Sequence, residues 1–183
     1  MKKLIFVFYI FSIIQGKSQE NSFSLATSYP IATGDNFLSD YSGIAEIGLR
    51  YKFGDDKTLD LALGLSASFL KQSNTGTNDN FALSFLLVQS KLIAELNIDS
   101  KEKFIPFFGI GYSYAFLNNS EGDIDDGFSG ININLGASYY FSKKWFAILQ
   151  YDFVIFDEEA FTFGDEILNN NIALLKIGLG YRL

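Results

Sequence analysis

Residues Asn171 to Leu183 read N-I-A-L-L-K-I-G-L-G-Y-R-L, and the parity of this stretch decides the fold. The odd positions are Ala173, Leu175, Ile177, Leu179, Tyr181 and Leu183, whereas the even positions from Lys176 onward are Lys176, Gly178, Gly180 and Arg182. A period of two describes a strand with one oily face and one small or charged face.

Working back from that stretch, seven more segments show the same period. Ser22 to Tyr29 places Phe23, Leu25 and Tyr29 on one face and is expected to end at Pro30, which has no amide hydrogen for a ladder. Gly43 to Phe53 alternates Ala45, Ile47, Leu49, Tyr51 and Phe53 with Glu46, Gly48, Arg50 and Lys52. Thr58 to Phe69 sets a run of leucines at odd positions against Asp60, Ala62, Gly64, Ser66 and Ser68. In Phe81 to Ile98 the outward set begins as Phe81, Leu83, Phe85 and Leu87, then changes phase to Val88, Leu92, Ala94, Leu96 and Ile98. A β-bulge near Leu86 to Val88 is the expected repair of that slip. Phe104 to Phe116, Phe128 to Phe141 and Trp145 to Phe156 complete the set, the last placing Phe146, Ile148, Gln150 and Asp152 on the inner face.

The connections alternate in length. Gly54 to Lys57, Asp99 to Lys103 and Ser142 to Lys144 are short turns, while the connections after the first, third, fifth and seventh segments are longer and polar. Short turns on one side and long loops on the other, with an even strand number, are the layout of a transmembrane β-barrel. Each segment also supplies the ~9–11 residues that a tilted strand needs to cross the bilayer. Aromatics make up 17% of the 183 residues, with 20 Phe and 10 Tyr, yet no internal run approaches the ~18 uninterrupted apolar residues of a spanning helix. The oily residues are therefore distributed by alternation. A soluble eight-stranded barrel of the lipocalin kind also alternates, but its water-facing side should be dense in Lys and Glu. Here the second face is mainly Gly, Ala, Ser and Asn, which suits the crowded lumen of a small barrel.

The amino terminus has the three parts of a secretory signal: Lys2 and Lys3, an apolar core from Leu4 to Ile14, and Gly16-Lys17-Ser18. Cleavage is expected after Ser18, giving a signal peptide over 1–18 and a barrel domain over 19–183. Loss of three lysines leaves 11 basic residues of the 14 against 21 acidic ones, a net charge of −10 that argues against nucleic acid as a partner. There is no cysteine, which excludes disulfides, thiolate nucleophiles and a lipidated N-terminal Cys.

Three segment ends repeat one another: G-L-R-Y-K-F from Gly48, G-A-S-Y-Y-F from Gly136 and G-L-G-Y-R-L from Gly178. With the closing strand, they carry a resemblance that spans essentially all of the chain after the signal. The sequence resembles the small outer-membrane β-barrel domains of the OmpA, OmpX and opacity-protein kind. It departs from them in ending on Leu183 where such barrels usually end in Phe, and no peptidoglycan-binding domain follows, so the wall-tethering role of longer relatives is not carried over. The resemblance implies an all-β, eight-stranded, antiparallel up-and-down barrel in the outer membrane of a Gram-negative bacterium, exported through the periplasm. The partners it implies are outer-membrane lipid and lipopolysaccharide, the barrel assembly machinery, and an extracellular partner whose identity stays open.

Aromatics should form two girdles at the interfaces. Tyr51, Phe104, Tyr139, Trp145 and Tyr181 are expected at the periplasmic side, and Tyr29, Phe69, Phe81, Tyr114 and Phe128 at the outer side. Glu46, Arg50, Lys52, Asp60, Asp152, Lys176 and Arg182 fall on the inner face and form a candidate lumen charge network. If Trp145 and Leu183 lie level at the rim, antiparallel pairing brings Asp152 directly opposite Lys176.

Catalysis finds little footing. Enzymes on such barrels generally use a His base, and the chain has no His. Asp157, Glu158 and Glu159 read as a solvated charge run. Asp123, Asp125 and Asp126 before Gly127 offer hard oxygen ligands, but without the spacing or the closing Glu of an EF-hand, so the weak metal reading gives way to an acidic loop. No cofactor is expected. The four long loops hold twelve acids, from Asp35 to Glu166, and one base, Lys71. Two function classes remain open: a non-enzymatic surface barrel for envelope integrity or adhesion, and a narrow pore or transport accessory for small or hydrophobic solutes.

Overall fold

Alternation along each segment becomes a ladder when neighbouring strands bury their small faces together. The computed structural model describes residues 22–34, 38–53, 58–72, 84–98, 103–118, 124–157, 162–163, 166–167 and 171–183. The strands are β1 (Ser22–Ala32), β2 (Tyr41–Lys52), β3 (Leu59–Gln72), β4 (Ser84–Leu96), β5 (Phe104–Asn118), β6 (Ile124–Tyr140), β7 (Trp145–Phe156), β8 (Thr162–Phe163), β9 (Glu166–Ile167) and β10 (Asn171–Arg182). Eight of them close into an antiparallel barrel in the order β1-β10-β7-β6-β5-β4-β3-β2, and β8 and β9 pair separately as a short hairpin. The expected eight-stranded up-and-down barrel is the fold. The signal segment over 1–18 lies outside the described residues.

The outer wall is predominantly apolar, with only scattered hydroxyls such as Thr27 and Ser90. Leu25, Ile47, Leu63, Leu92, Ile110, Leu135, Leu149 and Ile177 are all more than a third exposed, which in water would be an aggregation surface and in a bilayer is the lipid contact. Inside, the lumen is packed in three levels. Toward the long loops lies an apolar cluster that includes Leu38, Leu70, Phe85, Leu87, Phe128, Val154, Phe156 and Leu174. Toward the short turns lies a smaller one of Ala62, Ile93, Phe107, Phe146 and Ile148. Between them sit Glu46, Gln89, Lys91, Asn132, Gln150, Asp152 and Lys176, all buried. Gly180 makes room in the lower cluster, since a Cβ there would lie 2.1 Å from the ring of Phe146, the residue opposite it in the ladder.

Several local readings are corrected by this packing. β4 pairs with β3 and with β5 without a register shift, so there is no bulge at Leu86 to Val88. Phe85 and Leu87 point inward instead, into the upper cluster. The apparent change of phase is a change in what the lumen contains. Phe128, expected in the outer aromatic girdle, is likewise only 5% exposed and packs edge-on to Phe156 at a ring distance of 6.4 Å. It shares the parity of Asn132 and Asn134, which fixes it to the inner face.

Pro30 does not end β1. It stays in register with Lys176 of β10, while the β1–β2 ladder stops at Ser28 opposite Glu46. Its carbonyl oxygen lies where a Cβ on Gly43 would be, at 1.8 Å, and β2 has a register shift between Gly43 and Ala45. The irregularity thus accommodates a proline that one neighbour cannot bond. β6 begins at Ile124, so Asp125 and Asp126 belong to a strand, with Asp126 opposite Leu117, and not to a loop; Asp123 lies outside the described residues.

Candidate functional site

The middle level of the lumen gathers charged side chains from β2, β4, β7 and β10, of which only β7 and β10 are neighbours in the sheet. Lys176 on β10 places its Nζ 2.7 Å from Asp152 Oδ2 on β7, forms an ion pair with Glu46 on β2, and donates to Gln89 Oε1 on β4 at 2.9 Å. Lys91 on β4 reaches across to the same Asp152 Oδ2 at 2.8 Å. Gln150 Nε2 donates to Asp152 Oδ1 at 2.5 Å. Glu46 accepts from Ser28 Oγ at 3.2 Å and Ser68 Oγ at 2.5 Å. All four carboxylate oxygens of the layer are engaged.

This arrangement follows from parity and side-chain length. Ser28, Ser68 and Ser113 are short, so the lumen stays open enough for lysines to cross it. Two cations meet two anions, which leaves the layer neutral. Asp152 and Lys176 are 0% and 1% exposed, a burial that only full pairing makes tolerable. The expected pairing register is corrected here. Lys176 lies opposite Gln150, and Trp145 lies level with Tyr181, two residues away from the expected match with Leu183. The Trp145 and Tyr181 rings meet edge to face at 5.0 Å, and Arg182 N donates to Lys144 O. The two rings meet at the rim in this register, and a long lysine spans the diagonal to Asp152.

A second set of charges lies at the short-turn end. Arg50 pairs with Glu95 at 2.5 Å and Lys52 with Asp60 at 2.9 Å. Arg50 also covers the Phe107 ring at 4.6 Å, and Arg182 covers Tyr140 at the same distance. Of the seven residues named from the sequence, the structure groups Glu46, Asp152 and Lys176 in the central layer and puts Arg50, Lys52, Asp60 and Arg182 nearer the mouth. Lys91 and Glu95 were missing from that set. The strict alternation from Val88 to Leu96 carries the signal, since Gln89, Lys91, Ile93 and Glu95 share one parity.

Phe104, Tyr139 and Trp145 are each close to half exposed on the outer wall at the short-turn end, with Tyr51 and Tyr181 partly covered beside them. Tyr29, Phe69 and Tyr114 stand exposed toward the other end, and Phe81 lies outside the described residues. Among the described residues no three acids converge on a point where a metal ion could be held.

A sequence model of the outer membrane protein beta-barrel domain matches residues 11–182. The chain belongs to this family. Its barrel accordingly resides in the outer membrane of a Gram-negative bacterium. Among solved structures, Ail, the attachment invasion locus protein of Yersinia pestis, aligns at a TM-score of 0.60 with 11% identity, over 89% of this chain and 97% of that one. Neisserial surface protein A aligns at 0.59 with 11% identity, over 90% and 97%. The N-terminal β-barrel domain of Pseudomonas aeruginosa OprF aligns at 0.51 with 14% identity, over 89% and 98%. At such identities these likenesses establish a shared fold. No curated protein sequence matches the chain.

Proposed function

We propose that this family member is a non-enzymatic, non-conducting stem that holds acidic loops at the cell surface, for envelope integrity or surface contact. The observation that carries this reading is the packed lumen. An ion entering from the long-loop end meets the apolar cluster of Phe85, Leu87, Phe128 and Phe156 and then a neutral, fully paired charge layer. Neither offers it a replacement for its hydration shell. There is no His, and among the described residues the lumen carboxylates Glu46, Asp152, Glu95 and Asp60 are each paired with a cation, which argues against a free general base.

The loops favour cationic or cation-bridged surfaces. Ail has been crystallised with the heparin analogue sucrose octasulfate. The acids that the sequence concentrates between the barrel strands at the long-loop end oppose a polyanion of that kind and suit divalent ions shared with lipopolysaccharide phosphates. Planar-bilayer recording tests the stem reading: purified barrel is expected to give no steady current, and a reproducible steady conductance would overturn it in favour of a narrow pore.

A further inference from the structure

The rim at the short turns divides into two halves by charge. On β2, Arg50 and Lys52 are neutralised by Glu95 of β4 and Asp60 of β3. Across the mouth, on the contiguous ends of β5, β6, β7 and β10, stand Lys103, Lys143, Lys144 and Arg182. Among the described residues none of these four has a carboxylate partner; Asp99 and Glu102, in the turn before Lys103, lie outside those residues. The β6–β7 turn that carries two of the cations is fixed by its own hydrogen bonds. Ser142 Oγ accepts from Lys144 N at 3.3 Å and from Trp145 N at 2.9 Å, and Lys144 O accepts from Arg182 N at 2.8 Å. Lys143 and Lys144 are exposed, and Lys144 Nζ stands over the Tyr181 ring at 5.2 Å, which keeps it on the lipid side of the rim. One step toward the membrane centre, the outer wall has a hollow. Ala147 faces outward between its ladder partners Tyr139 and Leu179, two residues along the strand from Trp145. The larger side chains around it, Tyr139, Trp145, Leu149 and Leu179, are all close to half exposed and stand up around its methyl group.

We propose that this half of the rim binds an anionic phospholipid of the periplasmic leaflet, with its phosphate between Lys143 and Lys144 and the start of an acyl chain in the hollow at Ala147. The short turns face the periplasm in barrels of this family. Charge complementarity selects the lipid. Unpaired cations favour a head group of net negative charge over a zwitterionic one, whose own ammonium they repel. The flanking rings of Tyr139, Trp145 and Tyr181 sit where amphipathic aromatics meet the head-group region, so chain and phosphate are engaged together. A soluble phosphate would meet the same lysines but would leave the hollow empty. The half of the rim on β2 to β4, where Arg50 and Lys52 already have carboxylates, has no such preference.

Trp145 is the single tryptophan of the chain, so its fluorescence reads this site alone. The barrel is reconstituted in phosphatidylcholine vesicles, and phosphatidylglycerol or phosphatidylcholine brominated near the carboxyl end of its acyl chain is titrated in. Bromine quenches the indole on contact. Brominated phosphatidylglycerol is expected to act with an apparent affinity about fivefold above that of the brominated phosphatidylcholine, the gain from one cation meeting one anionic lipid near the surface. Lys143→Gln combined with Lys144→Gln should bring the two lipids level, whereas Lys143→Arg combined with Lys144→Arg should keep the preference. Lys143→Gln alone, which disturbs no ring contact, should already lower it. Lys71→Gln, at the other end of the barrel, should leave it unchanged. Heat-dependent gel mobility checks that each variant is folded. Equal quenching by the two lipids in the unaltered protein, a preference kept in full by the folded glutamine variants, or one lost in Lys71→Gln would each overturn the site.

Discussion

Along β4 the inward side chains run Phe85, Leu87, Gln89, Lys91, and that one step divides the lumen into regions built on opposite chemistry. Toward the long loops, space is filled by apolar side chains that need only volume and can tolerate imprecise neighbours. In the middle, it is filled by charges that must each find a partner across the barrel. The first region seals by exclusion. The second seals by specificity, because a buried lysine that misses its carboxylate is worse than no lysine at all. The difference teaches where the barrel is robust and where it is brittle.

The largest effect is expected in the middle. Lys176→Met leaves Glu46 and Asp152 without a shared cation, and breaking a buried pair in this way costs ~3–5 kcal/mol. Lys91→Met should cost less, because Asp152 keeps Lys176 and Gln150 as partners. Urea unfolding in lipid measures both. Combining Asp152→Asn with Lys176→Met should lose less than the sum of the single changes, since each removes part of the same network. Additive losses would mean that these groups stand side by side without coupling, and the contrast between the two regions would fail.

The next effect belongs to the apolar region. Phe85→Ala opens a cavity inside the upper cluster and should cost about 3 kcal/mol. Phe69 lies one residue from the partner of Phe85 in the ladder but faces outward at 41% exposure, where lipid refills the space. Phe69→Ala should therefore lose clearly less by the same urea measurement. Equal losses would place Phe85 outside the packed lumen and restore the outward phase read from the sequence.

That pair also shows what a sequence can and cannot convey. Strand number, closure and most facing were legible because one face is oily and the other small, as in Leu61, Leu63 and Leu65 against Ala62, Gly64 and Ser66. Facing became illegible where the lumen itself turns oily. In Phe85-Leu86-Leu87-Val88 both faces are apolar, so alternation vanishes and a bulge is inferred that the backbone does not have. Phe128 misled for the same reason. The charge layer was legible as a set of inward residues, but not as a network. Parity places Lys91 and Asp152 inside, yet only the closed barrel brings β4 across to β7. The rim register escaped because the pairing of Trp145 with Tyr181 is a relation between two strands and not a pattern along one of them.

The smallest expected effect sharpens the boundary between protein and water inside the barrel. Arg50 and Glu95 pair at 2.5 Å near the short-turn end, with side chains 15% and 7% exposed, and Arg50 also lies over Phe107. Glu95→Gln keeps the shape and removes the charge. Because water reaches Arg50, the released guanidinium is partly rehydrated and keeps its ring contact, so the loss should be about 1 kcal/mol, the upper end of the range for pairs in contact with solvent. The pair should also weaken with salt, since the Debye length falls from ≈ 10 Å at 0.1 M to 3 Å at 1 M ionic strength and screens charges that solvent can approach. The Lys176 network, sealed above it, should hold its full effect over the same salt range. Urea titrations of Glu95→Gln and Lys176→Met at low and high sodium chloride compare the two directly. A salt response at Lys176 as large as that at Glu95 would mean that water penetrates the central layer, and the lumen would then be one continuous wet interior in place of a sealed region and an open one.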